Sequence, residues 1–456
     1  MVLLNVRGDP KAVMNPAFSR YHPRLNVVYT CTEDIEENGK IFAYKLGADG
    51  TLEQLGAPVD AGGTSTCYLT IDKAQKNLLA VNYWDSTLVT IPLDRETGEF
   101  MGPVKSKYDP KGGKKVVAAA KKNGGANHSC NDESTIRMRQ ADPHSHALVL
   151  DPYVGAVAYV PDLGKDLIRE FYYDREHGAI SKELNYLPSG LCSGMPDGPR
   201  YIHFHPKYNV AYVVNELSST IAVFEVDKAL LKEISEASKQ LENMDRFKGR
   251  STLRLIQSIA TIPSAFPTVM NTCGRVCVHK TGRFVVVSNR GHQSLTVYRV
   301  KNKGPRRGEL VTVGYFHTRG ETPRHFQFDS TGQYLVVANQ DSDSITVFSF
   351  NLGTGQINFT GYEYRVPSPN FVCNCPNYQD DDESEEVYSN EITVTNINPR
   401  SLAHSDSDSG SDSEGSTIPV HSHSKSSMDL QTKLFEANEQ IEELRKQLES
   451  LTGGSK

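Results

Sequence analysis

The chain has one tryptophan in 456 residues and no run of about eighteen apolar residues, so no helical membrane span is expected. Its opening, MVLLNVRGDPK, has too short an apolar run and the wrong flanks for a secretory signal. Eight cysteines in so long a chain, without such a signal, read as reduced thiols, which points to a cytoplasmic location. Cys273 and Cys277 have a spacing zinc could use, but Cys373 and Cys375 stand too close for the usual pair. The two pairs also fall in different repeats, so no metal is expected. No Gly-x-Ser-x-Gly elbow is present, which argues against an α/β-hydrolase esterase. Lys111-Gly112-Gly113-Lys114-Lys115 lacks the Walker pattern and reads as a flexible basic loop. The formal net charge of −6, part of it in one C-terminal block, gives no sign of a nucleic-acid partner. Regular helical stretches between the β-type runs are missing too, which excludes a parallel α/β fold.

What is present is a repeat, clearest in Gly198–Val226. Tyr201-Ile202-His203-Phe204 alternates with period two, and Pro206 to Asn209 is a turn cluster. Val210–Val214 is a β-branched run too short for a helix, and Asn215 to Ser219 turns the chain into Ile221–Phe224. The same second-strand and turn pattern recurs with turn residues near 31, 82, 162, 215, 289 and 339. The base interval is roughly 50 residues with three or four strands each, the mark of a β-propeller. Two longer gaps hold a largely polar insertion, Tyr108–Ala141, and a helix-like stretch, Asp227–Lys248. Six repeats are visible. A seventh sheet is expected from Leu3–Val6 together with Gly361–Val366 and Asn370–Val372, which would close the ring and remove its exposed edges.

The expected architecture is therefore all-β, a seven-bladed propeller over residues 1–378. An acidic, serine-rich linker that cannot bury a core follows over 379–427, read as disordered and open to phosphorylation. Over 428–452, Leu430, Leu434, Ala437, Ile441, Leu444, Leu448 and Leu451 form a heptad seam. A docked amphipathic helix and a short coiled coil, which would make a homodimer, both fit that seam.

Turns on one face of a propeller bring together residues far apart in sequence. Arg200, Glu216, Arg290 and Arg324 sit at matching repeat positions, and Gln140–His146 adds His144 and His146 directly before a strand. Several arginines beside a histidine pair and a glutamate point to a small anionic ligand. Asn82, Asn215, Asn289 and Asn339 occupy the second-strand turns, and asparagine also caps tight turns on its own account.

PHSHALVLDP, GPRYIHFHP, VVNELSSTIAVFEV, VVVSNRG and TPRHFQFDSTGQYLVVANQDSDSITVF resemble the seven-bladed lactonase family. That family includes propeller-type 6-phosphogluconolactonases and a fungal carboxy-cis,cis-muconate cyclase. The similarity covers most of residues 1–376. It implies a catalytic set of His146, Arg200, Glu216 and Arg290 in the channel mouth, with His144 and Arg324 as substrate-binding candidates, to which the turn positions add Asn215 and Asn289. It departs from the family at Tyr201, where histidine is usual, and at Arg275 and Cys277.

The chemistry such a set could carry is hydrolysis of a lactone. His146, expected near neutral pKa, would take the water proton, Glu216 would orient or polarise the water, and Arg200 or Arg290 would stabilise the oxyanion. His146 and Glu216 could exchange roles. The reverse sense, adding a carboxylate across a double bond, uses the same groups, and neither direction needs a cofactor. The resemblance implies 6-phosphogluconolactone as substrate, in the oxidative pentose phosphate route. The alternatives are a cycloisomerase acting on a carboxymuconate-like dicarboxylate and a propeller without activity that serves as an interaction platform.

Overall fold

The structure, a computed structural model, describes residues 13–110, 133–191, 194–239 and 243–375. Leu3–Val6, the basic loop at Lys111–Lys115, the acidic linker and the heptad segment lie outside the described residues. Within them, six antiparallel sheets follow one another along the chain. Blade 1 is built from Pro16–Tyr21, Val27–Thr32, Asn38–Leu46 and Leu52–Gln54, with Val59–Thr64 also pairing its third strand. Blade 2 takes Thr66–Ile71, Asn77–Asn82, Thr87–Pro92 and Ser106–Tyr108, and blade 3 takes Val149–Leu150, Val157–Asp162, Leu167–Asp174 and Ala179–Pro188. Blade 4 is Pro199–Phe204, Val210–Asn215, Thr220–Val226 and Leu253–Ala260. Blade 5 is Thr272–Val278, Phe284–Arg290, Ser294–Val300 and Leu310–His317, and blade 6 is Pro323–Phe328, Tyr334–Asn339, Ser344–Phe350 and Ile357–Arg365.

First strands of neighbouring blades pack on one another, as Pro199–Phe204 does on Thr272–Val278 and the latter on Pro323–Phe328. The second strands lie between blades and are covered on both faces. That is why Val210–Asn215 and Phe284–Arg290 are buried at every residue and read as continuous apolar runs. Fourth strands reach solvent, and Leu310–His317 alternates in burial accordingly. Tyrosines fill the space between blades and spend their hydroxyls there. Tyr173 donates to Asp72 at 2.9 Å, Tyr212 to the Gly308 carbonyl at 2.9 Å and Tyr298 to that of Ala260 at 2.6 Å.

Two local devices repeat. The residue just before the third strand adopts a left-handed backbone in five blades: Ser86, Asp166, Ser219, Gln293 and Asp343. In the turn before it a buried asparagine gives its amide to a carbonyl at the end of the preceding segment. Asn82 binds Ala61, Asn215 binds Ser189, Asn289 binds Thr261 and Asn339 binds Thr318. The second device is a bulge near the start of the first strand. Register slips between Pro16 and Phe18, Thr66 and Tyr68, Pro199 and Tyr201, Cys273 and Val276, and Pro323 and His325. A bulge turns its extra side chain out of the alternation, and here that residue is Cys67, Arg200 or Arg324 in three of the blades.

The seventh-sheet expectation is corrected in part. Gly361–Val366 does not start a new sheet: Gly361, at φ +87°, lies in a bulge inside the last strand of blade 6, which pairs Phe359 with Phe348 and Glu363 with Thr346. Residues 371–374 instead run extended between blades 6 and 1. Phe371 stacks on Phe18 at 4.4 Å and His325 at 3.9 Å, and the Val372 amide donates to His325 Nδ1 at 3.1 Å. The helix-like stretch forms α2, Lys228–Lys239, against blades 3 and 4. The largely polar insertion contains a further helix, α1, Glu133–Gln140, with Arg139 buried.

Candidate active site

Bulges, turns and α1 converge on one cavity of about 850 Å³, whose lining includes Cys67, Tyr83, Arg139, His146, Arg200, Glu216, Arg290 and Arg324. Arg200 and Arg324 arrive from the bulges of blades 4 and 6, and Arg290 from the end of the second strand of blade 5. His146 precedes the short first strand of blade 3, its amide donating to the Pro161 carbonyl at 2.9 Å. Glu216 follows Asn215, so the turn-capping asparagine fixes where its side chain starts.

Glu216 is the centre of the site. Only 2% of its side chain is exposed. Its Oε1 forms ion pairs with Arg139 Nη2 at 2.6 Å and Arg290 Nη2 at 2.9 Å, and its Oε2 accepts a hydrogen bond from Arg200 Nε at 2.7 Å. Arg200 Nη1 donates to the Gly274 carbonyl at 3.0 Å and Arg290 Nη2 to that of Cys273 at 2.7 Å, so blade 5 backbone holds both. Burial pushes the Glu216 carboxyl up, but Arg139, then Arg290 and Arg200, override it and hold it well below the usual carboxylate range. Burial brings the Arg290 guanidinium down to about 10, which still leaves it charged at neutral pH.

His146 differs from expectation. Burial first, and the Arg200 charge second, place its imidazole well below the ordinary 6.5 rather than near neutrality, so the ring is uncharged at pH 7. Tyr83 and Tyr201 meet it edge-on at 5.3 and 5.4 Å. Cys67 is beside it, its Sγ 3.4 Å from the His146 carbonyl oxygen. Burial drives that thiol up, so it is a protonated donor and no nucleophile.

The other residues singled out from sequence divide. Arg324 lines the cavity, a quarter exposed, with Nη2 3.7 Å from Glu33. His144 sits behind the wall, stacked on Tyr83 at 4.8 Å. Asn215 and Asn289 do not line the cavity; their amides tie turns to backbone, as does Asn339. Cys273 and Cys277 are buried free thiols. Arg275 turns inward, against His325. Arg139 escaped sequence reasoning, because nothing in a lone arginine of a polar insertion marks it. Its one signal is adjacency to the Gln140–His146 stretch.

Gly291 controls the Arg290 backbone. It adopts φ +123°, and a Cβ there would stand 1.9 Å from the Met270 carbonyl oxygen. Gly291→Ala is therefore expected to displace Arg290 and to cost at least about 1–3 kcal/mol of stability from strain. Thermal unfolding and substrate turnover measured on the same preparation would fall together; an unchanged Tm would contradict the clash.

The fold agrees with what comparison with known proteins gives. Residues 4–374 match the family described as "Lactonase, 7-bladed beta-propeller". The 6-phosphogluconolactonase of Bacillus subtilis is 28% identical over 361 residues, which span 79% of this chain and 86% of that protein. An uncharacterised protein of Lactococcus lactis subsp. cremoris is 29% identical over 365 residues, 80% of this chain and 89% of the other. The solved periplasmic gluconolactonase of Pseudomonas aeruginosa superposes with a TM-score of 0.60 at 23% identity, over 78% of this chain and 87% of its own, a likeness of fold. A match over most of its length places this chain in the seven-bladed β-propeller lactonase family.

Proposed function

We propose that the protein hydrolyses 6-phosphoglucono-1,5-lactone to 6-phosphogluconate. The observation that carries this reading is the charge of the cavity: four guanidiniums, Arg139, Arg200, Arg290 and Arg324, face two carboxylates, Glu216 and Glu33. Two positive charges are left over in a largely buried site. Uncompensated buried charge costs several kcal/mol per ion, so the site is built for a dianionic ligand, and a phosphate monoester is one. The name of the Bacillus subtilis relative supports the same choice.

In the mechanism, water attacks the lactone C1 while neutral His146 takes its proton. The charge that gathers on the carbonyl oxygen falls to Arg200 or Arg290. The ring C1–O5 bond then breaks, the proton passes from His146 to the departing O5, and the carboxylic acid formed at C1 gives up its remaining water-derived proton to solvent and leaves as the carboxylate. Glu216, ionised and bonded to three guanidiniums, is a poor base, and its part is to hold the arginines in place. On the same reading residues 370–374 pass where a seventh blade would stand, between blades 6 and 1, and the reaction belongs to the cytoplasmic oxidative pentose phosphate route.

The test is hydrolysis of freshly generated 6-phosphogluconolactone by purified protein, with the spontaneous rate subtracted. Enzyme-dependent turnover is expected. Turnover no faster than the background would sink the substrate assignment and make a carboxymuconate-like dicarboxylate the next substrate to try.

A further inference from the structure

Arg139 stands apart from the other arginines. Arg200, Arg290 and Arg324 come from strands or turns that every blade repeats, whereas Arg139 comes from α1, in the insertion between blades 2 and 3. Its side chain is 7% exposed, with Nη2 on Glu216 and Nε donating to the Tyr83 hydroxyl at 3.3 Å. Its Nη1 is buried and meets no acceptor, and the same is true of Arg290 Nε. Arg139 and Arg290 are the two guanidiniums that share Oε1 of Glu216. A buried charged donor with nothing to bind is rare and marks a place where an acceptor is due.

We infer that Arg139 sets the charge specificity of the site, its Nη1 taking an oxygen of the substrate's dianionic group. The charge balance argues the same way. Without Arg139 the cavity would carry one surplus positive charge and suit a monoanion; with it the surplus is two and suits a phosphate monoester. Placed on an insertion, the residue can change the preferred ligand without touching the parts that every blade shares. Its neighbour Tyr83 bridges it to His146, edge-on at 5.3 Å, so the bound phosphate is positioned relative to the base through one aromatic ring.

This inference rests on the lactonase reading, and two measurements keep the two separable. In the first, kcat/KM is compared for 6-phosphogluconolactone and for uncharged glucono-1,5-lactone in wild-type protein, Arg139→Gln and Arg139→Lys. The charged-to-uncharged ratio is expected to fall roughly ten- to a hundred-fold in Arg139→Gln, the worth of a hydrogen bond to a charged group. Arg139→Lys, which keeps the charge but not the planar fork, should recover part of it. Equal losses for both lactones would mean that Arg139 only props up Glu216, and would overturn the inference. In the second, calorimetry measures binding of 6-phosphogluconate and of gluconate to the same three proteins without turnover. Wild-type preference for the phosphorylated acid, reduced in Arg139→Gln, supports the assignment; no preference, or one that survives the substitution, overturns it. Wild-type protein that hydrolyses neither lactone would remove the hydrolase reading alone, because the binding comparison still decides Arg139.

Discussion

Glu216→Ala should cost about 3–5 kcal/mol of stability and abolish turnover at the same time. The carboxylate is the counterion of three guanidiniums whose side chains are 3–7% exposed. Deleting it leaves them facing one another across a cavity with Glu33 as the remaining carboxylate in the lining. The loss should appear as a fall of several degrees in Tm. Glu216→Gln, which keeps an acceptor but no charge, should lie between. The pH dependence carries a sign. Because the folded-state pKa of Glu216 is depressed, its contribution is fully present above the ordinary carboxylate value of 4.5 and is lost as pH falls through the lower, folded one. The gap in stability between wild type and Glu216→Gln should therefore stay constant from pH 7 to about 5 and shrink only in stronger acid. Inorganic phosphate should raise the Tm of Glu216→Ala more than that of wild type, since an anion can take the vacated role. A variant as stable as wild type at pH 7 would mean that the arginines find other partners and that Glu216 does not organise the site.

The parts of this molecule that were legible from sequence are those the blades repeat. Alternation and β-branched runs mark the strands because each strand meets the same neighbours in every blade. Arg200, Glu216 and Arg290 stand out because they break an otherwise apolar pattern at equivalent places. The bulges that point Arg200 and Arg324 into the cavity follow the same repetition. What could not be read depends on non-local facts. Arg139 lies in a segment that no blade repeats, and only the folded chain brings it 2.6 Å from Glu216. Asn215 and Asn289 sit beside functional residues in sequence, yet their amides are consumed by turns. An asparagine required by backbone geometry and one required by a ligand look alike in a sequence. Gly361–Val366 reads as a strand of its own, but the last strand of blade 6 uses the positive φ that Gly361 permits for a bulge and continues through it. The setting of Glu216 is hidden for a similar reason: a glutamate in a sequence carries no record of how many arginines will surround it.

His146 is where burial has the largest chemical effect. His146→Ala is expected to lower kcat by roughly 10²–10⁴-fold, the usual worth of a positioned general base, with a smaller change in KM. The pH profile separates this role from a structural one. With its pKa held well below 6.5 by burial and by Arg200, the imidazole is neutral throughout the physiological range. Wild-type kcat/KM should therefore run level from pH 7.5 down past 6.5 and fall only in more acidic solution, and the residual activity of His146→Ala should lack that fall. An acid limb centred at 6.5 or above would place the working base elsewhere. Stability follows from the same shift. Between the folded and unfolded pKa values of His146 the unfolded chain binds the proton and the folded one does not, so acidification below about 6.5 favours unfolding. His22 and His205, both brought down to about 4 by burial, act in the same sense and will persist in the variant. Replacing His146 should flatten the decline of Tm between pH 7 and 5 without removing it, while turnover stays reduced at every pH. On the proposed mechanism burial first and Arg200 second keep the base neutral, and Arg200 is also a candidate to receive the oxyanion. One guanidinium would then serve both halves of the reaction, holding negative charge on the substrate and helping to keep the proton acceptor free.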